Sequence, residues 1–334
     1  MAERAIRTTV VGSYPAPAWL VANPSRQALR DATAVVFHIQ ELAGIDLVAD
    51  GELYRFDLNH PETNGMIDYF IRPMDGVRTR ITRDDLRRFR EEAGLAYRAE
   101  PAGVVEGEIG AGALNLPRDY AQARALTRSP MKFTLTGPHM LAKVLLDTHY
   151  GDRAALAHAI AAVLAAQVAE IDADVVQIDE ANLPGSPEEG PWAADAINVV
   201  LDAVRGEKAV HLCFGNYGGQ TIQKGTWAAL IAFMNRLNVD HLVLEFAHRG
   251  YGELPYFRDV DPRIGIGLGV VDIKSTVIET PDTIARRIEE AERILGPGRV
   301  PYVHPDCGFW MLPRSVADGK IRALVQGRDR YLGR

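Results

Sequence analysis

Two cysteines and a histidine are the residues of this 334-residue chain best suited to metal chemistry. His211 and Cys213 form a His-x-Cys pair, and Cys307 is the other cysteine. Residues i and i+2 of a strand point to the same side, so both members of the pair could reach one ion. Thiolate, imidazole and carboxylate ligands together suit Zn2+ by their softness. We therefore predict a zinc site formed by His211, Cys213, Glu245 and Cys307.

Each of these residues also has a simpler interpretation. The cysteines could be small buried hydrophobic residues, and Glu245 could form an ion pair with Arg249. Four protein ligands could also hold a purely structural zinc ion. Structural zinc sites usually take close pairs of ligands from short modules, whereas these ligands come from distant segments. The wide spacing favours a reactive centre.

The ligand set itself indicates a class of reaction. A thiol that coordinates zinc loses its proton, and the thiolate is the nucleophilic form of sulfur. Two cysteine thiolates and a carboxylate make zinc a poor Lewis acid for water, but leave a bound substrate thiolate reactive. The set therefore predicts alkylation of a thiol rather than hydrolysis.

Short apolar, β-branched runs alternate with segments of helical spacing along the chain. Runs that are apolar at nearly every position suit strands buried on both faces, and their alternation with helices predicts a (β/α)8 TIM-type barrel. The runs are 8–11, 47–49, 132–135, 175–178, 209–212, 242–246, 264–271 and 300–303. A doubly wound open sheet is the main alternative, since periodicity does not separate the two.

Helical spacing fills the segments between these runs. The main candidates are 25–43, 153–171, 192–204, 226–237 and 281–295. In the last, Thr280 is a candidate N-cap, Pro281 takes the first helical position and Gly296 ends the helix. Residues 53–131 are too long and varied for one crossover. We predict that they form an insertion between strands two and three of a single catalytic domain, 1–334.

Catalytic residues of such barrels lie at the C-terminal ends of the strands. Every predicted strand end carries at least one polar candidate. These candidates are Ser13, Glu52, Thr136, Asp179, His211, Cys213, Glu245, Asp272, Lys274 and Cys307.

Composition excludes several other classes of function. The formal net charge of −7 argues against a nucleic-acid partner. The longest apolar stretch, 154–169, is interrupted by His158 and Gln167 and is too short to cross a membrane. The first residues lack the apolar core of a secretory signal, so we expect a cytoplasmic protein.

Several motifs resemble one family of enzymes. They are TTVVGSYP (8–15), QIDEANL (177–183), the His211-x-Cys213 pair and HPDCG (304–308), with LTGP (135–138) and GVVDI (269–273) in support. Together they are similar to the catalytic barrel of the cobalamin-independent methionine synthases, in particular its short, single-barrel members. The resemblance runs from Thr8 to about Gly308.

This resemblance implies methyl transfer to homocysteine sulfur on zinc held by the four ligands named above. It also implies that Ser13, with the backbone at Gly12, binds the homocysteine carboxylate. Glu52 and Asp179 would hold its ammonium group. A zwitterion needs donors at one end and anionic acceptors at the other, which agrees with these roles.

Departures from the family pattern fall on the side of the methyl donor. The family's Asp-Ile-His proton donor reads Asp272-Ile-Lys274, so Asp272 and Lys274 are the candidate catalytic residues. A tryptophan that stacks on folate is absent from 139–144, and Gly185 replaces an acidic residue that contacts folate. The donor could be folate or a methyl-corrinoid, possibly protein-bound.

Two rival hypotheses stay open at this point. One is a zinc alkyltransferase for another small thiol, of the epoxyalkane–coenzyme M type. Its sulfonate substrate would be repelled by two carboxylates, so Glu52 and Asp179 favour an amino acid. The other is a non-metal barrel related to uroporphyrinogen decarboxylase, in which both cysteines would be incidental.

Overall fold

Eight parallel strands close into a barrel, as predicted. The computed structural model describes residues 6–57, 64–93, 98–216 and 220–334. The barrel strands are β1 (Arg7–Thr8), β2 (Val48–Ala49), β5 (Met131–Thr136), β7 (Val175–Glu180), β8 (Glu207–Leu212), β9 (His241–Leu244), β10 (Gly265–Val271) and β11 (Tyr302–Pro305). Their order is β1-β11-β10-β9-β8-β7-β5-β2, and a parallel bridge between Thr9 and Leu47 joins the two ends. Each of the eight apolar runs thus contributes a barrel strand.

Helices connect the strands and pack outside them. They are α1 (Ala18–Ala22), α2 (Arg26–Ala43), α3 (Asp68–Ile71), α4 (Arg83–Ala93), α5 (Leu116–Arg124), α6 (Pro138–Lys143), α7 (Arg153–Val168), α8 (Gly190–Asp202), α9 (Ile231–Met234), α10 (Pro281–Leu295) and α11 (Arg314–Tyr331). Short 3₁₀ turns are Leu53–Arg55, Leu183–Gly185, Pro187–Glu189, Trp227–Leu230 and Leu254–Asp259. Within the described ranges, none of these helices has both the length and the apolar character needed to cross a membrane.

Helix boundaries follow local signals in the sequence. Helix α10 has the predicted bounds, and the Thr280 side chain accepts a hydrogen bond from the Thr283 amide at 3.2 Å. Ser25 caps α2 in the same way through the amide of Ala28, at 3.1 Å. The predicted helix at 226–237 is instead a 3₁₀ turn followed by the four-residue α9.

The segment between β2 and β5 contains α3, α4, α5 and two strands, β3 (Asp75–Arg78) and β4 (Val104–Gly110). These strands form a small sheet with β6 (Leu146–Asp147), which follows β5 in the chain. Strand β4 pairs antiparallel with β3 and parallel with β6. The extra sheet therefore also uses residues beyond 131, and the division of the chain into domain and insertion stays a prediction.

An ionic cluster joins four strands at the N-terminal end of the barrel. Glu207, at the start of β8, accepts hydrogen bonds from Arg7 at 2.9 Å and from the Tyr302 hydroxyl at 2.8 Å. His241 Nδ1 lies 2.9 Å from the same carboxylate. Burial opposes ionisation of Glu207, but the hydrogen bonds from His241 and Tyr302 outweigh it and lower its pKa to about 2. This cluster stabilises the end of the barrel opposite the predicted site.

Candidate active site and metal centre

Three of the predicted metal ligands meet at the C-terminal mouth of the barrel. His211 belongs to β8, Cys213 follows that strand, and Cys307 follows β11. Their ligand atoms all lie within 4.8 Å of one another. The group can bind a metal ion.

The orientation of His211 fits a metal ligand. Its Nδ1 lies 2.9 Å from the carbonyl oxygen of Val243, so Nδ1 carries the proton and donates it. Its Nε2 is buried, has no oxygen or nitrogen partner, and lies beside the Cys307 sulfur. A buried nitrogen lone pair that receives no hydrogen bond is unfavourable, unless it binds another group such as a metal ion. A backbone contact that fixes the other ring nitrogen is the usual arrangement of a histidine that coordinates metal.

A hydrogen bond joins the two thiols and shifts their pKa values in opposite directions. The hydrogen bond from Cys213 lowers the pKa of Cys307 well below its usual range, with His211 and Lys274 adding to the effect. The same hydrogen bond raises the pKa of Cys213. The lowered pKa favours the thiolate of Cys307, which is the form that binds metal.

Glu245 is engaged by a lysine instead of Arg249. Lys274 Nζ donates to Glu245 Oε2 at 3.0 Å, and the amide of Phe214 donates to Oε1 at 3.2 Å. Arg249 pairs with Glu253 at 3.2 Å. The Glu245 and Lys274 side chains are 0% and 3% exposed, so this ion pair is almost completely removed from water. The alternative pairing with Arg249 is wrong.

Asp272 shapes the turn that presents Lys274. Its Oδ1 accepts the Lys274 amide at 2.8 Å, and its Oδ2 lies 3.2 Å from His248 Nδ1. The amide of Asp272 donates to Glu279, whose carboxylate pairs with Lys320 at 2.9 Å. The direct catalytic role expected of Asp272 stays a prediction.

Glycines allow close contacts of the residues that are predicted to bind the substrate. A Cβ atom on Gly12 would overlap Oε1 of Glu52, and one on Gly308 would overlap Oγ of Ser13. The Phe309 amide also donates to the Ser13 carbonyl at 2.8 Å. The structure therefore brings Gly12 against Glu52, and Ser13 against the loop that carries Cys307.

Glu52 has a strained backbone and a strongly held side chain. Its φ of 59° is in the left-handed region, and it is the one non-glycine residue with positive φ in the described part of the chain. Its Oε1 accepts the Thr134 hydroxyl at 2.5 Å and lies 3.5 Å from the buried Arg55 guanidinium. Strain of this kind persists where the surrounding contacts fix the residue, as they commonly do at functional sites.

Asp179 lies beside His211 at the end of the neighbouring strand. The two residues are partners in the β7–β8 register. Gln177 Nε2 donates to Asp179 Oδ1 at 2.6 Å. The pKa of Asp179 is raised to about 7, chiefly by burial, with Glu52 acting in the same direction and His211 opposing the shift. The carboxylates predicted to bind an ammonium group are thus close enough to interact by charge.

Asp306 is a structural residue of this site that sequence reasoning missed. Its carboxylate accepts backbone amides from the segment after Glu245: Phe246 and Ala247 at 2.9 Å each, and His248 at 2.7 Å. It thereby ties the loop after β9 to the loop that carries Cys307. Its place in the HPDCG motif was the available signal, but nothing in that motif distinguishes a structural aspartate from a ligand.

Helix α6 carries an ionic cluster where the sequence departs from the family pattern. His139 is fully buried, with Nδ1 3.0 Å from Glu180 and Nε2 2.8 Å from Glu189. Lys143 Nζ lies 2.5 Å from Glu189. A Cβ atom on Gly185 would overlap the Gln223 side chain. Ionic and amide groups therefore occupy this side of the mouth.

The fold and these residues define a (β/α)8 barrel with a group that can bind a metal ion and with buried carboxylates beside it. Comparison with known proteins is more specific. The family model for the cobalamin-independent synthase, catalytic domain, matches residues 6–328, and the chain belongs to that family. This result confirms the family expected from the motifs. It favours methyl transfer to homocysteine over both rival hypotheses.

Individual relatives cover almost the whole chain. The methionine synthase of Sulfurisphaera tokodaii is 28% identical over 339 residues, which is 96% of this chain and 90% of that protein. The methionine synthase of Thermococcus kodakarensis is 28% identical over 335 residues, or 96% and 91% of the two chains. A solved B12-independent methionine synthase from a Shewanella species, in complex with selenomethionine, has a TM-score of 0.82 at 24% identity and covers 98% of each chain. That likeness supports the barrel fold.

Proposed function

We propose that this protein transfers a methyl group to the sulfur of homocysteine, giving methionine, and that it uses zinc to do so. Family membership supports the reaction. The observation that supports the metal is the buried Nε2 of His211, which has no oxygen or nitrogen partner and lies beside the Cys213 and Cys307 thiols. His211, Cys213 and Cys307 would hold the ion, and Glu245 would be the fourth ligand in the absence of substrate. When bound, zinc would lower the pKa of the substrate thiol.

The carboxylates beside the metal group suit the amino end of homocysteine. Glu52 and Asp179 are buried, and each already accepts one hydrogen bond from the barrel. An ammonium group offers three donors, which two fixed carboxylates can accept. Ser13 and the Gly12 backbone are assigned to the substrate carboxylate. A thiol with a sulfonate in place of the amino acid would meet negative charge here.

Lys274 has a role in balancing charge. Two thiolates and a carboxylate carry more negative charge than Zn2+ can neutralise, and a substrate thiolate would add more. Lys274 already lies 3.0 Å from Glu245, so it would keep this carboxylate paired whether or not Glu245 coordinated the metal. Asp272 would fix the turn that keeps Lys274 there. Both residues would therefore act on the charge of the centre.

For the methyl donor we propose a compound other than folate, with a methyl-corrinoid as the first candidate. The position of the expected stacking tryptophan lies in α6, where His139 is held between two carboxylates. The side of Gly185 is covered by Gln223. His139 itself is fully buried, and neither position offers a free acidic group to a pterin ring.

Zinc-edge X-ray absorption, with and without homocysteine, tests the metal and the acceptor together. We expect a shell with two sulfur ligands that gains a third when homocysteine is added. A shell that does not change would contradict the acceptor, and protein without zinc after purification and reconstitution would contradict the metal. Methyl transfer from methylcobalamin and from methyltetrahydrofolate, compared at equal concentration, would then decide the donor.

A further inference from the structure

Lys132 is a buried lysine that the proposed reaction does not use. It interrupts the apolar run of β5, and it is 1% exposed. Its Nζ donates to the carbonyl oxygen of Val10 and to Oε1 of Gln177, the latter at 2.8 Å. Val10 follows β1, which is not a neighbour of β5, so these contacts cross the interior of the barrel. An amine at this depth needs an explanation, since lysine is rarely buried without a charged partner.

Gln177 connects this lysine to the candidate substrate site. Its side-chain nitrogen donates to Asp179 Oδ1 at 2.6 Å and to the Val11 carbonyl at 3.0 Å. A backbone carbonyl only accepts, so the Gln177 nitrogen must face Val11 and Asp179, and its oxygen must face Lys132. Every hydrogen-bonding group of the amide is used, and its orientation is fixed.

The charges around Lys132 also connect it to the candidate substrate site. Burial lowers the pKa of Lys132 to about 7, and Asp179 and Glu52 oppose this shift. These carboxylates are the ones assigned to the amino group of the substrate. Two buried carboxylates that interact by charge favour a positive charge nearby, and the protonated form of Lys132 would supply it.

We propose that Lys132 is a positioning residue, which acts through Gln177 to present Asp179 to the amino group of the thiol substrate. The inference rests on the proposed function, in that the substrate is an amino acid. Without Lys132, the Gln177 oxygen is left buried and unpaired, so the amide must shift to find a donor. Asp179 then loses the hydrogen bond from Gln177 that orients its carboxylate. The sulfur end of the substrate, bound at the metal, is not affected.

The test compares two thiols that differ only in the amino group, homocysteine and 4-sulfanylbutanoate. Their affinities for zinc-loaded wild-type and Lys132→Met protein are measured by isothermal titration calorimetry, with zinc content and melting temperature as checks. We expect the preference for homocysteine to fall about tenfold or more in Lys132→Met, as for the loss of a charge-assisted contact. The affinity for 4-sulfanylbutanoate should stay within about twofold. Lys208→Met, which removes a lysine from the outer start of β8, is the matched control and should keep the preference.

Other outcomes have equally clear meanings. Equal weakening of both thiols would overturn the proposal, because it would make Lys132 purely structural. A stronger preference for homocysteine would also overturn it, since Lys132 would then compete with the substrate ammonium. If Lys132→Met does not fold, Gln177→Leu should show the same selective loss. Wild-type protein that binds neither thiol, or both equally, would instead contradict the proposed function.

Discussion

At the scale of single residues, the ion pair between Lys274 and Glu245 contributes to the charge of the proposed metal centre. We expect Lys274→Met to retain zinc, because Glu245 is then free to coordinate it. The affinity for homocysteine should fall by about tenfold, since a further thiolate joins a centre without a compensating cation. Zinc analysis and thiol titration on the same protein measure both effects. Unchanged thiol affinity would rule out the assigned role.

Glu52 is the residue whose carboxylate is held most firmly beside the substrate space. Replacing it with glutamine keeps its size and its contact with Thr134 but removes the charge. We expect Glu52→Gln to raise the KM for homocysteine by about ten- to a hundredfold, as for the loss of a charge-assisted hydrogen bond. Steady-state kinetics over homocysteine concentration measure this. Glu289→Gln, on the exposed face of α10, is the control, and equal kinetics for both variants would exclude Glu52 from substrate binding.

At the scale of elements, the loop after β1 and the turn after β2 fit together only because Gly12 has no side chain. Gly12→Ala should displace Glu52 and weaken homocysteine binding, because the new Cβ would overlap the carboxylate. Gly252→Ala is a matched control, since nothing lies within 4 Å of a Cβ there. Calorimetric titration of both variants checks this. Normal homocysteine affinity in Gly12→Ala would show that Glu52 can move without loss.

Much of the barrel could be predicted because its strands are buried on both faces. The run at 175–178 is apolar or buried throughout, and it lies within β7. The helix at Pro281–Leu295 was equally clear, because Thr280 and Gly296 mark its ends. Strand ends also led to the metal group, since every polar residue there faces the same mouth.

Other features depend on contacts between segments that local patterns do not describe. The pairing of Glu245 with Lys274 joins two loops, and no spacing in the sequence distinguishes it from the alternative pairing with Arg249. The role of Lys132 depends on which side of β5 faces the interior. The small sheet is completed by Leu146–Asp147, a two-residue strand too short to show any periodicity.

For the molecule as a whole, the cluster around Glu207 makes stability depend on pH. The folded-state pKa of Glu207 is lowered from 4.5 to about 2, so its contribution is present above about pH 4.5 and is lost as pH falls toward 2. We expect Glu207→Gln to reduce the free energy of unfolding by about 1–3 kcal/mol at pH 7. Urea denaturation from pH 7 to pH 3 should show the difference between the two proteins shrinking. A constant difference would contradict the ionic origin of this contribution.

The order of the ligands along the chain has a consequence for biosynthesis. His211 and Cys213 leave the ribosome well before Cys307, and β11, which carries Cys307 to the mouth, pairs with β1 and β10. Domains commonly fold as units while synthesis proceeds from the N-terminus. An incomplete barrel can offer only the first two of these three ligands to a metal ion. Tight binding of a metal ion by all three residues would therefore require a closed barrel.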